Sequence, residues 1–307
     1  MPTLASHFNP LCHSSRRVFF AVILVFCSAV TTLPATDETV GVSELAPNLL
    51  LFSTSSGNVI ASVGPDGALL IGTTSIASTA QISELLETRT KSPVRYVVIG
   101  EPQHGQFDGD AGWGHRGAFV AMQEKGLERL GGHRMGEPPP LDQRFLQLGV
   151  DRPRVAFSEV LTFDMNNEAI HIIHQPPGYS DADILVHFHV ANLVYMGNVF
   201  PGDSYPEIDS KVGAKLSGFV QLLGHWTNDR VRVVPAHGKV MSGTDVKSFH
   251  DMIVTVQGRI QHVIDTGGTE QDAITAQPTR EFDATWGHGP VNANAFIQAV
   301  YKELKTP

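Results

Sequence analysis

The sequence predicts an α/β (α+β) fold in four layers, with two packed mixed β-sheets flanked by helices on their outer faces. Three observations predict it. Short apolar strands, an amphipathic helix and a further strand follow one another twice along the chain, which gives two similar β-rich halves. Two strands, at residues 94–99 and 231–234, end abruptly in polar, glycine-containing loops, as strands covered on both faces do where they deliver functional groups. With 307 residues, 42 % hydrophobic and 17 % charged, the chain can bury a core of that size and is not disordered as a whole.

The elements follow in order. Strands at 49–53, 58–63 and 68–72, with Gly64-Pro65-Asp66-Gly67 as a turn, read as an antiparallel meander. Residues 75–89 carry Ile82, Leu85 and Leu86 at helical spacing, and Pro93 separates that helix from the strand Val94–Ile99. After the loop Glu101-Pro102-Gln103-His104-Gly105-Gln106-Phe107-Asp108-Gly109-Asp110 come a strand at 117–122 and a helix at 123–130. A connector at 131–142 contains Pro138-Pro139-Pro140. Strands at 160–164 and 169–174 flank Asn166-Asn167, a hairpin signal, and strands at 184–188 and 193–196 follow. Helices at 211–226, 244–264 and 292–304 complete the chain, with a strand at 231–234 between the first two.

The N-terminus has a different character. Arg16 and Arg17 precede thirteen nearly all apolar positions, 18–30, too few for a comfortable span of roughly 20 residues. This is the order of an export signal, so residues 1–35 are expected to be a leader and 36–307 the mature domain, periplasmic or extracellular. The paired arginines also suit a twin-arginine route, and an uncleaved anchor is the alternative, in which case the leader would be the only membrane contact. Both cysteines, Cys12 and Cys27, fall in the leader, which excludes disulfides and cysteine-ligated metals from a mature chain starting near Thr36. Removing Arg16 and Arg17 from 22 basic residues leaves 20 against 31 acidic ones, a net charge of −11 that argues against nucleic acid as a partner.

Six segments, in order, resemble the metallo-β-lactamase fold superfamily, particularly its exported hydrolase-like members. They are the 94–110 strand and loop, Ile173-His174-Gln175-Pro176-Pro177-Gly178-Tyr179-Ser180-Asp181-Ala182-Asp183, Val194-Tyr195-Met196-Gly197-Asn198-Val199-Phe200, Tyr205-Pro206-Glu207-Ile208-Asp209, Pro235-Ala236-His237-Gly238, and the segment 278–287. The resemblance implies a metal-dependent hydrolase, usually with two zinc ions held by a His-x-His-x-Asp-His motif, a further His, a Gly-Asp aspartate and a final Gly-His. Imidazoles and a bridging carboxylate there hold the cations and lower the pKa of bound water.

This sequence departs from that pattern. Without a gap, the four positions of the first motif are Glu101, Gln103, Gly105 and Gln106; with one inserted residue they are Pro102, His104, Gln106 and Phe107. The further His is Tyr179, the bridging aspartate is Asn198, and only the last histidine survives, as His237. Amides, glycine and phenylalanine do not replace imidazole or carboxylate on zinc, and a neutral phenol is a poor ligand.

The expectation is therefore an exported protein without the ancestral zinc-dependent hydrolysis, a candidate pseudoenzyme. Its pocket, drawn from Glu101, Gln103, His104, Gln106, Tyr179, Asn198 and His237, would take a small-molecule ligand without metal. The alternative is a hydrolase of an ester, lactam or related bond using a reduced zinc site of Glu101, His104 and His237, or a relocated one. His115 or His133 could join His104 in a new site, and Asp108 with Asp110 could hold calcium. His187 and His189 share one strand face, which in principle chelates a metal, and are expected instead to be a solvated pair, while His171 and His174, three apart, face opposite ways and cannot chelate together. Asp181 and Asp183 are expected to be structural turn residues, and Trp113, Trp226 and Trp286 core or pocket-wall residues.

Overall fold

The computed structural model describes residues 39–72, 75–100, 112–130 and 153–306. Strands β1 (Gly41–Ala46), β2 (Leu49–Thr54), β3 (Gly57–Ser62), β4 (Ala68–Ile71), β5 (Val94–Ile99), β6 (Phe119–Gln123) and β7 (Val155–Phe157) form one sheet in sequence order. Its first four strands pair antiparallel and β4 to β7 pair parallel. The second sheet has the order β13-β12-β11-β10-β9-β8, from β8 (Val160–Met165), β9 (Glu168–His174), β10 (Ile184–Phe188), β11 (Leu193–Gly197), β12 (Arg232–Pro235) and β13 (Met241–Ser242). Within it only β11 and β12 pair parallel.

Alternation along the strands sorts side chains into the four layers. In β2, Leu49 and Leu51 face the second sheet, whose Ile170, Ile172, Val186 and Phe188 join the same core. Leu50 and Phe52 point the other way, onto Ile82 and Leu86 of helix α1 (Ile76–Arg89). The second sheet repeats the arrangement: Leu185, Val194 and Val233 face outward under helices α3 (Leu216–Gly224), α4 (Gly243–Asp265) and α7 (Ala293–Lys305). Covering both faces is why these strands read as continuous apolar runs, and each fully buried Leu or Ile contributes about 1.5–3 kcal/mol. Three short helices are α2 (Glu124–Arg129), α5 (Glu270–Thr275) and α6 (Asp283–Trp286). Among the described residues no helix is long and apolar enough to cross a membrane.

The Asn166-Asn167 turn has both residues at positive φ, 54° and 60°, as a tight hairpin requires. Asn166 also joins the two sheets at that end. Its side chain donates to Ser62 Oγ (3.1 Å) and Gly67 O (2.9 Å) and accepts from Asp66 N (3.2 Å), while its own N–H donates to Asp66 Oδ2 (2.8 Å).

Several boundaries differ from the sequence reading. The helix expected over 211–226 is split: a 3-10 turn at Ser210–Val212 ends on Gly213, whose φ of 80° breaks the helix, and α3 begins only at Leu216. No side chain of its own caps α3; both oxygens of Glu303, on α7, accept from Leu216 N at 2.8 and 2.9 Å. Strands β1, β7 and β13 and the helices α5 and α6 carried no pattern that distinguished them. The expected leader and the connector at 131–142 lie outside the described residues.

Candidate functional site at one end of the sandwich

Strand directions bring the chemistry-bearing loops to one end. β9 and β11 both run antiparallel to β10 and so point the same way, and β12 runs parallel to β11. The turn bearing Tyr179, the Gly197-Asn198 turn and the Pro235-Ala236-His237-Gly238 loop therefore leave the second sheet on the same edge. In the first sheet, β3 begins at Gly57 where β4 and β5 end, because β3 pairs antiparallel with β4 and β4 parallel with β5. Asn58 N donates to Ala236 O at 2.7 Å, which places the ends of β4 and β5 at that same end of the sandwich.

The His237 loop is clamped from both sheets. Asn58, 2 % exposed, donates through Nδ2 to Pro235 O (3.0 Å) and Gly238 O (2.9 Å) and accepts from Ser53 Oγ (3.1 Å). From the other side, Ala236 N donates to Gly197 O (3.1 Å) and Phe200 O (3.3 Å), which couples the Asn198 turn to the His237 loop. Gly57 has no room for a side chain: a Cβ there would lie 2.9 Å from Ala236 O, with His237 Cε1 3.5 Å away. The His237 side chain is exposed and Asn198 is half-buried.

Tyr179 is positioned by a buried carboxylate. Asp183 Oδ2 accepts from Gly178 N (2.9 Å) and Tyr179 N (2.8 Å), and Oδ1 accepts from Ser180 N (2.9 Å) and Ser180 Oγ (3.0 Å). Three backbone donors and one hydroxyl satisfy a charge that is otherwise expensive to bury. The expectation that Asp183 is structural holds. Asp181 pairs with Arg129, and its carbonyl bonds His174 Nε2 at 2.9 Å. Burial of His174 holds its pKa below the ordinary imidazole value, against the opposing pull of Glu159 and Glu124.

Of the candidate residues, His237 and Asn198 stand on adjacent, hydrogen-bonded loops, and Tyr179 stands on the neighbouring turn at the same end. Glu101, Gln103, His104 and Gln106 lie outside the described residues, as do Asp108, Asp110 and His133. Among the described residues no group of three or more His, Cys, Asp and Glu side chains is arranged to hold a metal ion. A neutral amide, a phenol and a single imidazole do not fit a pair of zinc ions. Asn58, Gly57 and Asp183, which shape the site, were not among the residues the sequence singled out for it. The polar-in-apolar position of Asn58, within 57–62 where every residue is buried, was the available signal.

The segments 204–209 and 278–287 brace one another. Tyr205 donates to Asp283 Oδ1 at 2.7 Å, Tyr205 N donates to Trp286 O at 2.9 Å, and the Tyr205 ring stacks on Phe296 at 4.9 Å. Burial and the carboxylate push the Tyr205 phenol above its ordinary range, so it stays a neutral donor. Trp113 and Trp286 are buried core residues and Trp226 is half-buried against the helical core. His187 and His189 are not a solvated pair alone: His171, the cross-strand partner of His187, completes a cluster of three rings.

No family model and no curated protein sequence matches the chain. Solved structures do. A metallo-β-lactamase from Pontibacter korlensis shares 15 % identity at a TM-score of 0.55, covering 69 % of this chain and 99 % of that one. A metallo-β-lactamase from Hirschia baltica shares 15 % at 0.53, over 70 % and 97 %. A double mutant of the sec-alkyl sulfatase PisA1 shares 13 % at a TM-score of 0.60 and covers 87 % of this chain but 50 % of its own. The similarity covers the two mixed sheets and their helical layers: the chain has the metallo-β-lactamase fold.

Proposed function

We propose that this chain is an exported metallo-β-lactamase-fold protein that has given up dinuclear zinc hydrolysis and uses the His237 end of the sandwich to bind a small polar molecule. The observation that carries this reading is Asn198. It occupies the position where the fold's hydrolases are expected to place a bridging aspartate, on a turn fixed to the His237 loop by Ala236 N. An amide there supplies no negative charge to neutralise two cations. At the same end of the sandwich Tyr179 carries a hydroxyl and His237 an imidazole, groups that donate to and accept from a polar ligand.

Export is read from Arg16-Arg17 and the apolar stretch after them; N-terminal sequencing of protein recovered from outside the cytoplasm tests it. A second reading is a hydrolase with a reduced zinc site of Glu101, His104 and His237. It rests on these three being the metal-capable side chains at the motif positions, and the match to a sec-alkyl sulfatase adds alkyl sulfates to the bonds to be tested. Elemental analysis of the purified protein, combined with a screen of lactams, carboxylic esters and alkyl sulfates, separates the two. The proposal expects no hydrolysis that a chelator abolishes. Chelator-sensitive turnover that His237→Ala also removes would establish the hydrolase.

A further inference from the structure

The helical layer outside the first sheet carries a groove at the opposite end from His237. Helix α1 ends there and the chain turns into β5, whose other end lies by the His237 loop. Ser83, Leu86, Glu87 and Thr90 fall at i, i+3, i+4 and i+7, so one stripe of α1 forms one wall. The other wall is the helical turn before β6, which carries Trp113 and Arg116. A tight return fixes that turn: Arg116 N and Ala118 N both donate to Trp113 O at 3.1 Å, and Gly117 takes a φ of 94° that a side chain would resist. Pro93 lines the groove where the chain enters β5, and its volume of about 480 Å³ falls within the roughly 300–1,000 Å³ of small-molecule sites. Charges of both signs face it without meeting. Arg116 donates through Nη1 to Ser83 Oγ at 3.2 Å and lies 5.9 Å from the Trp113 ring, but neither it, Lys91 nor Glu87 forms an ion pair among the described residues. Trp113 is 1 % exposed, and its indole Nε1 has no hydrogen-bond partner.

We propose that this groove binds a small zwitterion with an apolar body, of the class of an α-amino acid with an apolar side chain. The guanidinium of Arg116 matches a carboxylate in shape and charge, and its remaining N–H groups are unused. Glu87, on the facing wall, takes the ammonium, while Leu86, Pro93 and the Trp113 ring receive the apolar side chain. Both charges of the ligand are needed. An acid without the ammonium leaves Glu87 opposed to it, and an amine without the carboxylate meets two cations, Arg116 and Lys91, against one anion. The site is separate from the His237 end and independent of what that end binds.

Full-length protein is titrated at neutral pH with L-leucine and L-phenylalanine by calorimetry, and the Trp113 indole N–H resonance is followed in parallel as a reporter inside the groove. For at least one of the two, a single saturable site with Kd below about 1 mM is expected, with a shift of that resonance. Binding should weaken by about tenfold or more in Arg116→Gln and in Glu87→Gln, and stay unchanged in His237→Ala. The same weakening is expected for 4-methylpentanoate and for 3-methylbutylamine, which are leucine without its ammonium and without its carboxylate. Arg116 and Glu87 are both exposed, so the variants should keep their fold; urea midpoints check this, and Lys91→Gln replaces a variant that does not. No saturable binding of either amino acid below about 1 mM, an acid or amine analogue that binds as tightly as leucine, unchanged affinity in Arg116→Gln and Glu87→Gln, or loss of binding in His237→Ala would each overturn the proposal.

Discussion

Replacing Asn58 with alanine removes the clamp between the first sheet and the His237 loop. The side chain is 2 % exposed and donates two hydrogen bonds, to Pro235 O and Gly238 O, across 177 and 180 residues of sequence. Each such bond contributes about 0.5–1.5 kcal/mol net, and leaving the carbonyl of the buried Pro235 unpaired adds to the loss, so Asn58→Ala is expected to cost about 2–3 kcal/mol. Asn58→Asp keeps the shape but turns a donor into an anion facing two carbonyl oxygens. It should cost more than alanine at neutral pH, ~3 kcal/mol or above. Because its carboxyl is protonated more readily folded than unfolded, stability should recover as the pH falls and an O–H donor returns. Urea unfolding followed by tryptophan emission measures both variants, and the His237 ring resonances report whether the loop has moved. Losses below about 0.5 kcal/mol for both variants, with unmoved His237 resonances, would refute the clamp.

Three further outcomes follow from the same geometry. Asp183→Asn leaves one acceptor oxygen where two serve three N–H groups and a hydroxyl, so a loss of about 2–4 kcal/mol is expected, with Asp183→Ala at least as severe; chemical denaturation checks it. Glu303→Ala removes the side-chain acceptor at Leu216 N and should cost about 1 kcal/mol, while Glu303→Gln keeps one acceptor oxygen and should cost less; thermal melts of both compare them. Burial lowers the His174 pKa below its ordinary 6.5, so the unfolded chain binds more protons below that pH. The His174 contribution is therefore constant above about pH 7, falls as the pH drops through 6.5 and levels off once the folded-state pKa is passed. His174→Gln should flatten that part of the stability profile, and a profile identical to the parent's between pH 7 and 5 would count against it.

What the sequence made legible is what local pattern encodes. Val97, Val98 and Ile99 are apolar in succession because helix α1 covers one face of β5 and the second sheet the other. The helices expected from residues 75 and 292 do start there, with Ser75 and Asn292 as their N-caps, and Asn166-Asn167 turns the hairpin. Long-range partners left no such trace. Nothing near Asn58 announces a bond to Pro235, Leu216 is capped by a glutamate 87 residues away, and His171 meets His187 only because the β9–β10 register sets them opposite. The two-residue strand β13 is defined by its pairing with β12 and by little in its own composition. For the candidate site, the order of motifs named Tyr179, Asn198 and His237, which the strand directions bring to one end of the sandwich. Which residues hold the loops there depended on contacts between the two halves.

The central claim is that the His237 end of the sandwich does not hold a catalytic zinc pair, and metal stoichiometry tests it most directly. Zinc is measured by elemental analysis after equilibration with excess metal and dialysis, in the parent protein and in His237→Ala, with lactam, ester and alkyl sulfate turnover followed in parallel. The account predicts that His237→Ala leaves zinc content unchanged and that no chelator-sensitive turnover is present in either protein. Close to two equivalents of zinc in the parent, lost together with hydrolysis in His237→Ala, would contradict it.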